Sequence, residues 1–357
     1  MHDHRRRDRT KLPAGIQTSG PATLADVARR AEVAKSTVSR ALSNDPNLNI
    51  REETRLRIQA AAAELSYIPN PNARSLRLSR TWTIAFVVPE LGSPVFGQII
   101  EGAHRAAAEQ NYSVLIAQVE EGGSPRELGR RIVLGSRVDG VLLGTVDDQR
   151  LLDDFTSLGA RVVAVNCDTG DANDYSVIVD NEAGAQLAVG HLAELGHARI
   201  AYLCAAAPTY VSDRRRSGFI AGLEAANLPV DPRLLREINP SAHDAEAAAL
   251  DLLSDIDRPT AFVAWNLAVA AGITRAARKL KLCVPDAVSV ISLNDTRAAE
   301  MMTPAVTAVR LPLFRLGWSA ATNLIDLIEG RRVDPHAMIL RPDGVVHRES
   351  SGQLSLP

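Results

Sequence analysis

The 357-residue chain has few cysteines, few aromatic side chains and almost no net charge. Its three cysteines, Cys167, Cys204 and Cys283, are odd in number and widely separated, which gives little support to a disulfide framework or a zinc site. Aromatic residues make up 4% of a chain that is 46% hydrophobic, so the interior is aliphatic and rich in alanine. We therefore expect a globular protein with buried structural thiols, no metal and no cofactor.

Long apolar runs are also missing. No stretch approaches the roughly eighteen apolar residues that a membrane span needs. The N terminus is rich in His and Arg and lacks the apolar core of a secretory signal. These features predict a cytoplasmic protein with no membrane partner.

Motifs of common enzyme sites are absent as well. The chain has no Gly-x-Gly-x-x-Gly after a strand, no phosphate loop, no Gly-x-Ser-x-Gly elbow and no His-Glu-x-x-His. The acidic pairs Asp147-Asp148 and Asp153-Asp154 fall in or beside loops, where we expect them to be solvated. The sequence therefore predicts a protein that is not an enzyme, with no catalytic residues.

Charge is unevenly placed along the chain, although the whole carries only −2. Residues 1–81 contain fifteen Lys and Arg against eight Asp and Glu, a net +7, which leaves −9 for residues 82–357. A basic end attracts phosphates, so the N-terminal part is the candidate for binding nucleic acid.

Residues 23–42 read as two short amphipathic helices separated by a tight turn. Apolar residues recur at helical spacing and predict the buried faces: Leu24, Val27, Ala28, Ala31, Val33, Val38, Ala41 and Leu42. The second helix leaves a polar stripe, formed by Lys35, Ser36, Ser39 and Arg40, that fits the major groove of DNA. A solvated helical hairpin is the alternative.

The chain resembles the lactose/galactose repressor (LacI/GalR) family from about residue 23 onward. The motifs that carry the resemblance are Leu-x-Asp-Val-Ala at 24–28, Ser-Thr-Val-Ser-Arg at 36–40, Glu-Glu-Thr-Arg at 52–55 and Glu-Leu-x-Tyr-Ile-Pro-Asn at 64–70. The resemblance implies an N-terminal all-α helix-turn-helix headpiece with a hinge helix. It also implies an α/β, two-lobed body like that of periplasmic binding proteins.

This architecture divides the chain into four parts. We expect a disordered tail at 1–22, a DNA-binding domain at 23–69 with a third helix from Glu52 to Leu65, a hinge helix and linker at 70–81, and a body at 82–357. One lobe of the body would comprise about 82–180 and 313–340, and the other about 181–312 and 341–357. Short β-branched runs alternate with helical segments in the body, which is typical of parallel sheets. They predict strands at 83–88, 113–118, 140–143, 161–165, 176–179, 199–204, 260–264 and 288–292, and helices at about 95–109, 125–136, 182–195, 214–227, 242–254, 267–280 and 313–329.

The resemblance also implies roles in the headpiece. Two positions depart from the family, because Ala34 replaces a capping serine and Glu32 replaces the customary glycine of the turn. The expected base contacts are Lys35, Ser36 and Arg40, and the expected phosphate contacts are Thr23, Thr37, Ser39 and Asn44.

The sequence of the hinge predicts a short helix that depends on its partners to form. Asn70 is a competent N-cap with Pro71 at the first helical position, yet a helix of one or two turns is unstable alone and needs DNA and its symmetry mate. By the resemblance, Leu76 wedges a base step in the minor groove and Ala73 permits close approach. The alternative for Leu76 is a linker residue packed on Tyr67.

The family's effector lies between the lobes, at the carboxyl ends of the strands. Each matching residue also has a structural alternative: Phe96 could be core, Arg215 a solvated arginine, Asn266 a helix cap, and Trp265 a buried indole. The expected effector-binding residues are Phe96, Asn166, Arg215, Trp265, Asn266 and Asn294.

Three pocket positions at which the family commonly has aspartates are uncharged here: Asn166, Leu267 and Asn294. Carboxylates accept hydrogen bonds from two hydroxyls at once, whereas an asparagine offers one acceptor and one donor group. This change predicts an acidic sugar, a sugar phosphate or a less hydroxylated ligand in place of a neutral hexose.

Together these features predict a homodimeric transcription factor that binds a pseudo-palindromic operator in double-stranded DNA. A small effector, a sugar or sugar derivative, would control it, and repression of a carbohydrate uptake or catabolic operon is the family default. A tetramer is not expected, because the tail after Arg341 contains Pro342 and Gly344 and cannot form a leucine-heptad helix. A solute-binding protein or a sugar-modifying enzyme with the same body is the alternative.

Overall fold

A computed structural model of the chain describes residues 22–43, 45, 48–67, 80–118, 125–135, 138–144, 149–167, 174–334 and 337–354. Asn44, Asn70, Ala73 and Leu76 lie outside the described residues, as do all but the last residue of the predicted tail and most of the linker. The chain divides into two compact units, Met1–Arg80 and Thr81–Pro357.

The described residues of the first unit form three helices, α1 (Leu24–Arg30), α2 (Lys35–Leu42) and α3 (Glu52–Glu64), which confirms the predicted helix-turn-helix and third helix. Helix α1 begins with a capping box, in which the Thr23 side chain accepts from the Asp26 amide and Asp26 bonds back to Thr23. The helices share one apolar core, and the predicted apolar positions line it fully or partly. The buried members are Val27, Ala28, Ala31, Val38, Ala41, Ile58 and Ala61.

The second unit is built on two six-stranded sheets. The strands are β1 (Thr83–Val88), β2 (Ser113–Gln118), β3 (Gly140–Leu143), β4 (Val162–Val165), β5 (Ser176–Val179), β6 (Ile200–Ala205), β7 (Leu235–Ile238), β8 (Ala261–Ala264), β9 (Ser289–Ser292), β10 (Thr307–Arg310), β11 (Met338–Leu340) and β12 (Gly344–Val346). The first sheet has the order β11-β5-β4-β3-β1-β2 with all pairs parallel. The second has the order β12-β10-β9-β8-β6-β7 and is parallel except for β12. Parallel strands need crossover connections, which the intervening helices supply.

The helices of this unit are α4 (Pro94–Glu109), α5 (Pro125–Gly129), which continues as a π-helix (Arg130–Leu134), α6 (Gln149–Ser157), α7 (Asn181–Glu194), α8 (Tyr210–Ala225), α9 (Ala242–Ser254), α10 (Leu267–Lys279), α11 (Arg297–Met301) and α12 (Leu313–Ile328). A short 3₁₀ turn, Pro232–Leu234, precedes β7. Helices α4 and α12 pack with touching backbones, since a Cβ on Gly317 would lie 1.8 Å from the Ile99 carbonyl oxygen. The described helices are all too short or too polar to cross a membrane.

All eight predicted strands are present, with bounds that agree within one residue. The start of α8 was wrong: the helix begins at Tyr210 and not near residue 214, because the Thr209 side chain caps it by accepting from the Ser212 amide. Strands β7, β10, β11 and β12 and helices α6 and α11 were not predicted. These elements are short, and several lie at sheet edges, where the apolar pattern is weak.

The C-terminal segment that follows β12 is held against the second sheet by polar contacts. Ser350 Oγ donates to the Val290 carbonyl at 2.6 Å, and the Gly352 amide donates to Ser289 Oγ at 3.1 Å. Two histidines reach the same segment: His191 Nε2 lies 3.0 Å from Ser351 Oγ, and His197 Nε2 lies 3.2 Å from the Gly352 carbonyl oxygen. Two histidine side chains therefore help to hold the C-terminal segment against the sheet.

A first prediction concerns the turn of the headpiece. Glu32 has φ +53°, a left-handed conformation that costs a residue with a Cβ about 1 kcal/mol. Glu32→Gly should raise the opening free energy of α1 and α2 by about 0.5–1 kcal/mol, whereas Glu53→Gly in α3 should lower that of α3 by about 1 kcal/mol. Hydrogen exchange of the full chain measures both. Faster hydrogen exchange in α1 and α2 of the Glu32→Gly variant would contradict backbone strain at Glu32.

A second prediction concerns pH. Burial, followed by the nearby His347, lowers the pKa of His191, with Glu194 opposing, and burial lowers the pKa of His197. The unfolded chain then binds more protons than the folded one below about pH 6.5, so stability is full above that pH and is lost as the pH falls through the folded pKa values.

Urea unfolding at about pH 7.5 and about pH 5.5 measures this loss. We expect a smaller loss in the double variant His191→Gln, His197→Gln than in the wild type. His243→Gln, at an exposed position of α9, is the matched control and should behave as the wild type. An equal loss in all three proteins would rule out the two histidines as its cause.

Candidate nucleic-acid interface and ligand cavity

Helix α2 presents the predicted polar stripe on its outer side. Lys35 and Ser36 are exposed and Ser39 and Arg40 partly so, while Val38 on the opposite side is fully buried. The helix starts at Ala34 without a side-chain cap. Its first-turn amides are therefore left without a side-chain acceptor of their own, and such amides at a helix start bind phosphate well.

Arg40 does not extend freely from this stripe. Its Nε donates to Asp45 Oδ2 at 2.8 Å, across the end of α2. Both side chains are partly exposed, so the ion pair is weak and can exchange for a base edge or a phosphate. Asp45 thus holds the guanidinium at the end of the stripe.

The predicted phosphate contacts have mixed surroundings. Thr37 and Ser39 are partly exposed on α2. The Thr23 hydroxyl donates to Asp26 Oδ2 at 2.7 Å, so in this state its proton serves the capping box of α1. The Thr23 amide donates to the same oxygen at 2.9 Å, so any contact from Thr23 to a phosphate would require one of these two bonds to break.

The second unit contains a cavity of about 200 Å³ at the carboxyl ends of strands from both sheets. Pro89, Gly144 and Asn166 follow strands β1, β3 and β4, and Trp265 and Asn294 follow β8 and β9. All six residues predicted for the effector line this one cavity. The residues of the described chain that line it are Pro89, Ser93, Val95, Phe96, Ile99, Gly144, Asn166, Cys167, Thr209, Val211, Arg215, Trp265, Asn266 and Asn294.

Arg215 lies in the second turn of α8 and is only 4% exposed. Its Nε donates to Asn181 Oδ1 at 3.0 Å, its Nη1 to the Trp265 carbonyl oxygen at 2.9 Å and its Nη2 to Asn294 Oδ1 at 3.2 Å. The guanidinium carbon also lies 4.4 Å from the centre of the Trp265 ring. The side chain is therefore fixed on three sides and stacked on an aromatic face.

The neighbours of Arg215 on α8 show how unusual its surroundings are. Arg214 pairs with Glu182 at 3.5 Å and Arg216 pairs with Glu237, both at the surface. In the described part of the chain, Arg215 has no carboxylate within ion-pair distance, and all its acceptors are neutral. Burial lowers its pKa to about 10, which leaves it charged at neutral pH.

Asn181 joins Arg215 to the first sheet. It is the first residue of α7, the helix that follows β5, and its side chain is buried, with 2% of the residue exposed. Its Nδ2 donates to Asn166 Oδ1 at 3.1 Å and to the Val179 carbonyl at 3.0 Å, while its Oδ1 accepts from Arg215. A continuous chain of side chains therefore runs from the end of β4 to the end of β9.

Asn266 and Trp265 have the structural roles that were set out as alternatives, and both also line the cavity. Asn266 caps α10, since its Oδ1 accepts from the Val269 amide at 2.9 Å. Trp265 is partly buried against the core, as is Phe96. The structural and the ligand-facing interpretations are compatible for all three residues.

Leu267 does not belong with the other positions predicted to have lost an aspartate. It is the first residue of α10, packs against the core of the second sheet and is not among the residues that line the cavity. Its backbone position at the helix start directs it away from the ligand space. The loss of charge in the cavity therefore rests on Asn166 and Asn294.

The sequence interpretation missed Asn181, Ser93, Thr209 and Cys167 as parts of this site. Asn181 closely follows the predicted strand at 176–179, yet nothing in its spacing shows that it bridges two sheets. The described residues contain no group of three His, Cys, Asp or Glu side chains placed to hold a metal ion.

Comparisons with known proteins agree with both units. Residues 23–70 match the family described as bacterial regulatory proteins, lacI family, and residues 189–351 match a periplasmic binding protein-like domain. The chain is 30% identical over 331 residues to the HTH-type transcriptional repressor PurR of Yersinia pestis bv. Antiqua, covering 92% of this chain and 96% of that protein. It is 28% identical over 333 residues to the HTH-type transcriptional regulator DegA of Bacillus subtilis, covering 92% and 98%.

Solved structures show the same architecture. The lac repressor dimer bound to operator and the anti-inducer ONPF matches with a TM-score of 0.82 at 26% identity, covering 94% of this chain and all of that one. The regulator CelR in complex with cellobiose matches with a TM-score of 0.71 at 28% identity, covering 92% and 99%. The predicted family and fold class are confirmed, and the relatives are regulators and not enzymes. This chain belongs to the LacI family of bacterial transcriptional regulators.

Proposed function

We propose that the protein is a homodimeric repressor that binds a pseudo-palindromic operator and responds to a small effector in the cavity of its body. The observation that carries this proposal is the presence of both parts in one chain: the exposed stripe of α2 and a cavity built from two sheets. Relatives named as a repressor, as an operator-bound dimer and as a cellobiose complex support it.

The domain division follows the same proposal. The headpiece would comprise 23–69, the hinge and linker 70–81, and the body 82–357, with lobes at about 82–180 and 313–340 and at about 181–312 and 341–357. Strands of the first sheet fall in the first lobe and strands of the second sheet in the second. Asn70, Ala73 and Leu76 keep their predicted minor-groove roles on the sequence alone.

Base reading is assigned to Lys35, Ser36 and Arg40, because these side chains lie on the outer face of α2. A partly exposed ion pair with Asp45 orients Arg40 before DNA binds. Phosphate contacts are assigned to Thr23, Thr37, Ser39 and Asn44. A dimer places two such helices on the two halves of a palindrome, so the operator reflects the symmetry of the protein.

Effector control would act through the cavity. Its walls come from both sheets, so a ligand there interacts differently with a closed and an open arrangement of the lobes, which is the condition for shifting their populations. The path from Asn166 through Asn181 and Arg215 to Asn294 supplies the physical link. A regulator of this kind works beside the chromosome, which places it in the cytoplasm.

A carbohydrate uptake or catabolic operon is the proposed target, in line with the cellobiose and lac relatives. A solute-binding protein or a sugar-modifying enzyme with the same body is the second candidate. The headpiece disfavours it, since neither function needs a helix that reads DNA.

DNA binding provides the direct test. An operator is first selected from random double-stranded DNA with the full chain, and we expect a palindrome that binds two chains. Arg40→Ala should weaken that complex by roughly 1–3 kcal/mol and relax base preference at one position of each half-site. Arg29→Ala removes the same charge from an exposed site on α1 and serves as the control, with unchanged base preference.

Titrations of both variants against the selected site and against random DNA separate the outcomes. Failure of the wild-type chain to enrich any sequence would refute operator binding. Tight, specific binding by Arg40→Ala would refute the assignment of Arg40 while leaving the regulator proposal in place.

A further inference from the structure

The buried positive charge of Arg215 indicates which ligands the cavity takes. Its hydrogen bonds within the described residues all go to amide and carbonyl oxygens, the Trp265 ring stacks on it, and the neutral Tyr202 hydroxyl lies near it. Burying a cation without a counterion is costly, and neutral acceptors repay part of that cost only. One N–H on each of its terminal nitrogens remains after the three hydrogen bonds, which is the pair that forks onto an oxyanion.

The asparagines that line the cavity offer more donors than acceptors. Asn166 Oδ1 accepts two hydrogen bonds, from the Val179 amide and from Asn181 Nδ2. Asn266 Oδ1 accepts one from the Val269 amide and Asn294 Oδ1 one from Arg215, so each of these two oxygens keeps one lone pair. Each of the three NH₂ groups keeps at least one N–H, and those of Asn166 and Asn266 keep two, so donors outnumber acceptors among the described asparagines.

This imbalance discriminates between ligands. A neutral hexose presents hydroxyls, which need acceptors for their protons when they leave water, and buried hydroxyls without acceptors are costly. A carboxylate or a phosphate accepts hydrogen bonds only and matches the donors on Arg215 and the amides. Asn166 and Asn294 carry neutral amides, which accept fewer hydrogen bonds from hydroxyls than carboxylates would at the same positions.

The volume and the lining of the cavity further restrict the class of ligand. The cavity of about 200 Å³ is below the roughly 300–1,000 Å³ of common ligand pockets, which favours one small ring over a disaccharide. Val95, Phe96, Val211 and Trp265 add apolar surface to the same cavity. A ring with one charged oxygen group matches a lining of this mixed character.

We propose that the effector is a monosaccharide-sized acid whose anionic oxygens bind the terminal nitrogens of Arg215. This inference rests on the proposed function only in treating the cavity as the effector site. The acidic group supplies a counterion that the described residues do not provide. The bound acid then neutralises the charge of Arg215, whose side chain links the ends of β8 and β9 to Asn181.

Matched pairs of compounds test the proposal on the full chain without DNA. D-glucuronate is compared with D-glucose, D-galacturonate with D-galactose, and D-glucose 6-phosphate with D-glucose, all at constant ionic strength. A binder raises the unfolding temperature by mass action. We expect at least one acid to bind about 10-fold or more tightly than its neutral partner, and the uronate and phosphate arms show which anion fits.

A variant that retains the side-chain cap of α10 tests whether the acid binds in this cavity. Asn266→Asp should fold normally, since Asp caps helices as well as Asn, but it replaces an N–H donor by a negative charge on the cavity wall. It should weaken binding of the acid about 10-fold, while binding of the neutral sugar should stay equal or become tighter, because the new carboxylate accepts from hydroxyls. Asn227→Asp makes the same change at an exposed position after α8 and should behave as the wild type.

Two results would overturn the proposal: neutral sugars that shift the unfolding temperature as much as the acids do, or no shift with any of the three acids. Equal loss of acid binding in Asn266→Asp and Asn227→Asp would remove the cavity as the site. Operator titrations run in parallel keep the two proposals apart. A chain that binds its operator but no acid refutes the anion, and a chain that binds an acid but no DNA refutes the regulator.

Discussion

The body of this regulator depends on one constraint, the burial of a guanidinium that has only neutral partners. Arg215 is held by Asn181, by Asn294 and by the main chain of Trp265, and Asn181 extends the contacts to Asn166 on the other sheet. Each of these residues is fixed by an element start or a strand end. Strand ends and helix starts of both sheets therefore supply the residues that surround the charge of Arg215.

Most of the fold was predictable because it rests on local patterns. The apolar spacing at Val27 and Val38 gives the headpiece core, and the β-branched runs give the long buried strands, which agree to within a residue. The short edge strands β7, β11 and β12 bury few side chains and leave no such pattern. Helix α8 starts earlier than predicted because the capping hydroxyl of Thr209 decides its first turn, and hydrophobic spacing does not report a cap.

Most residues of the site could be predicted from the sequence, but the hydrogen bonds between them could not. Phe96, Arg215 and Asn266 were expected from motif matches and line the same cavity. That Asn181 bridges two sheets, and that the asparagine oxygens already accept hydrogen bonds, depends on three-dimensional contacts between residues up to 79 positions apart. Leu267 was misassigned, since one step along the chain after Asn266 turns a side chain from the cavity into the core.

The central claim is that no carboxylate of the described residues pairs with Arg215 in the free protein. The most direct measurement is the unfolding temperature of Asn294→Asp without any ligand, compared with the wild type. This change places a carboxylate where an amide oxygen now lies 3.2 Å from Arg215 Nη2. The account predicts an increase of about 2 °C or more, because a buried cation gains a partner. An unchanged or lower unfolding temperature in the folded variant would contradict it.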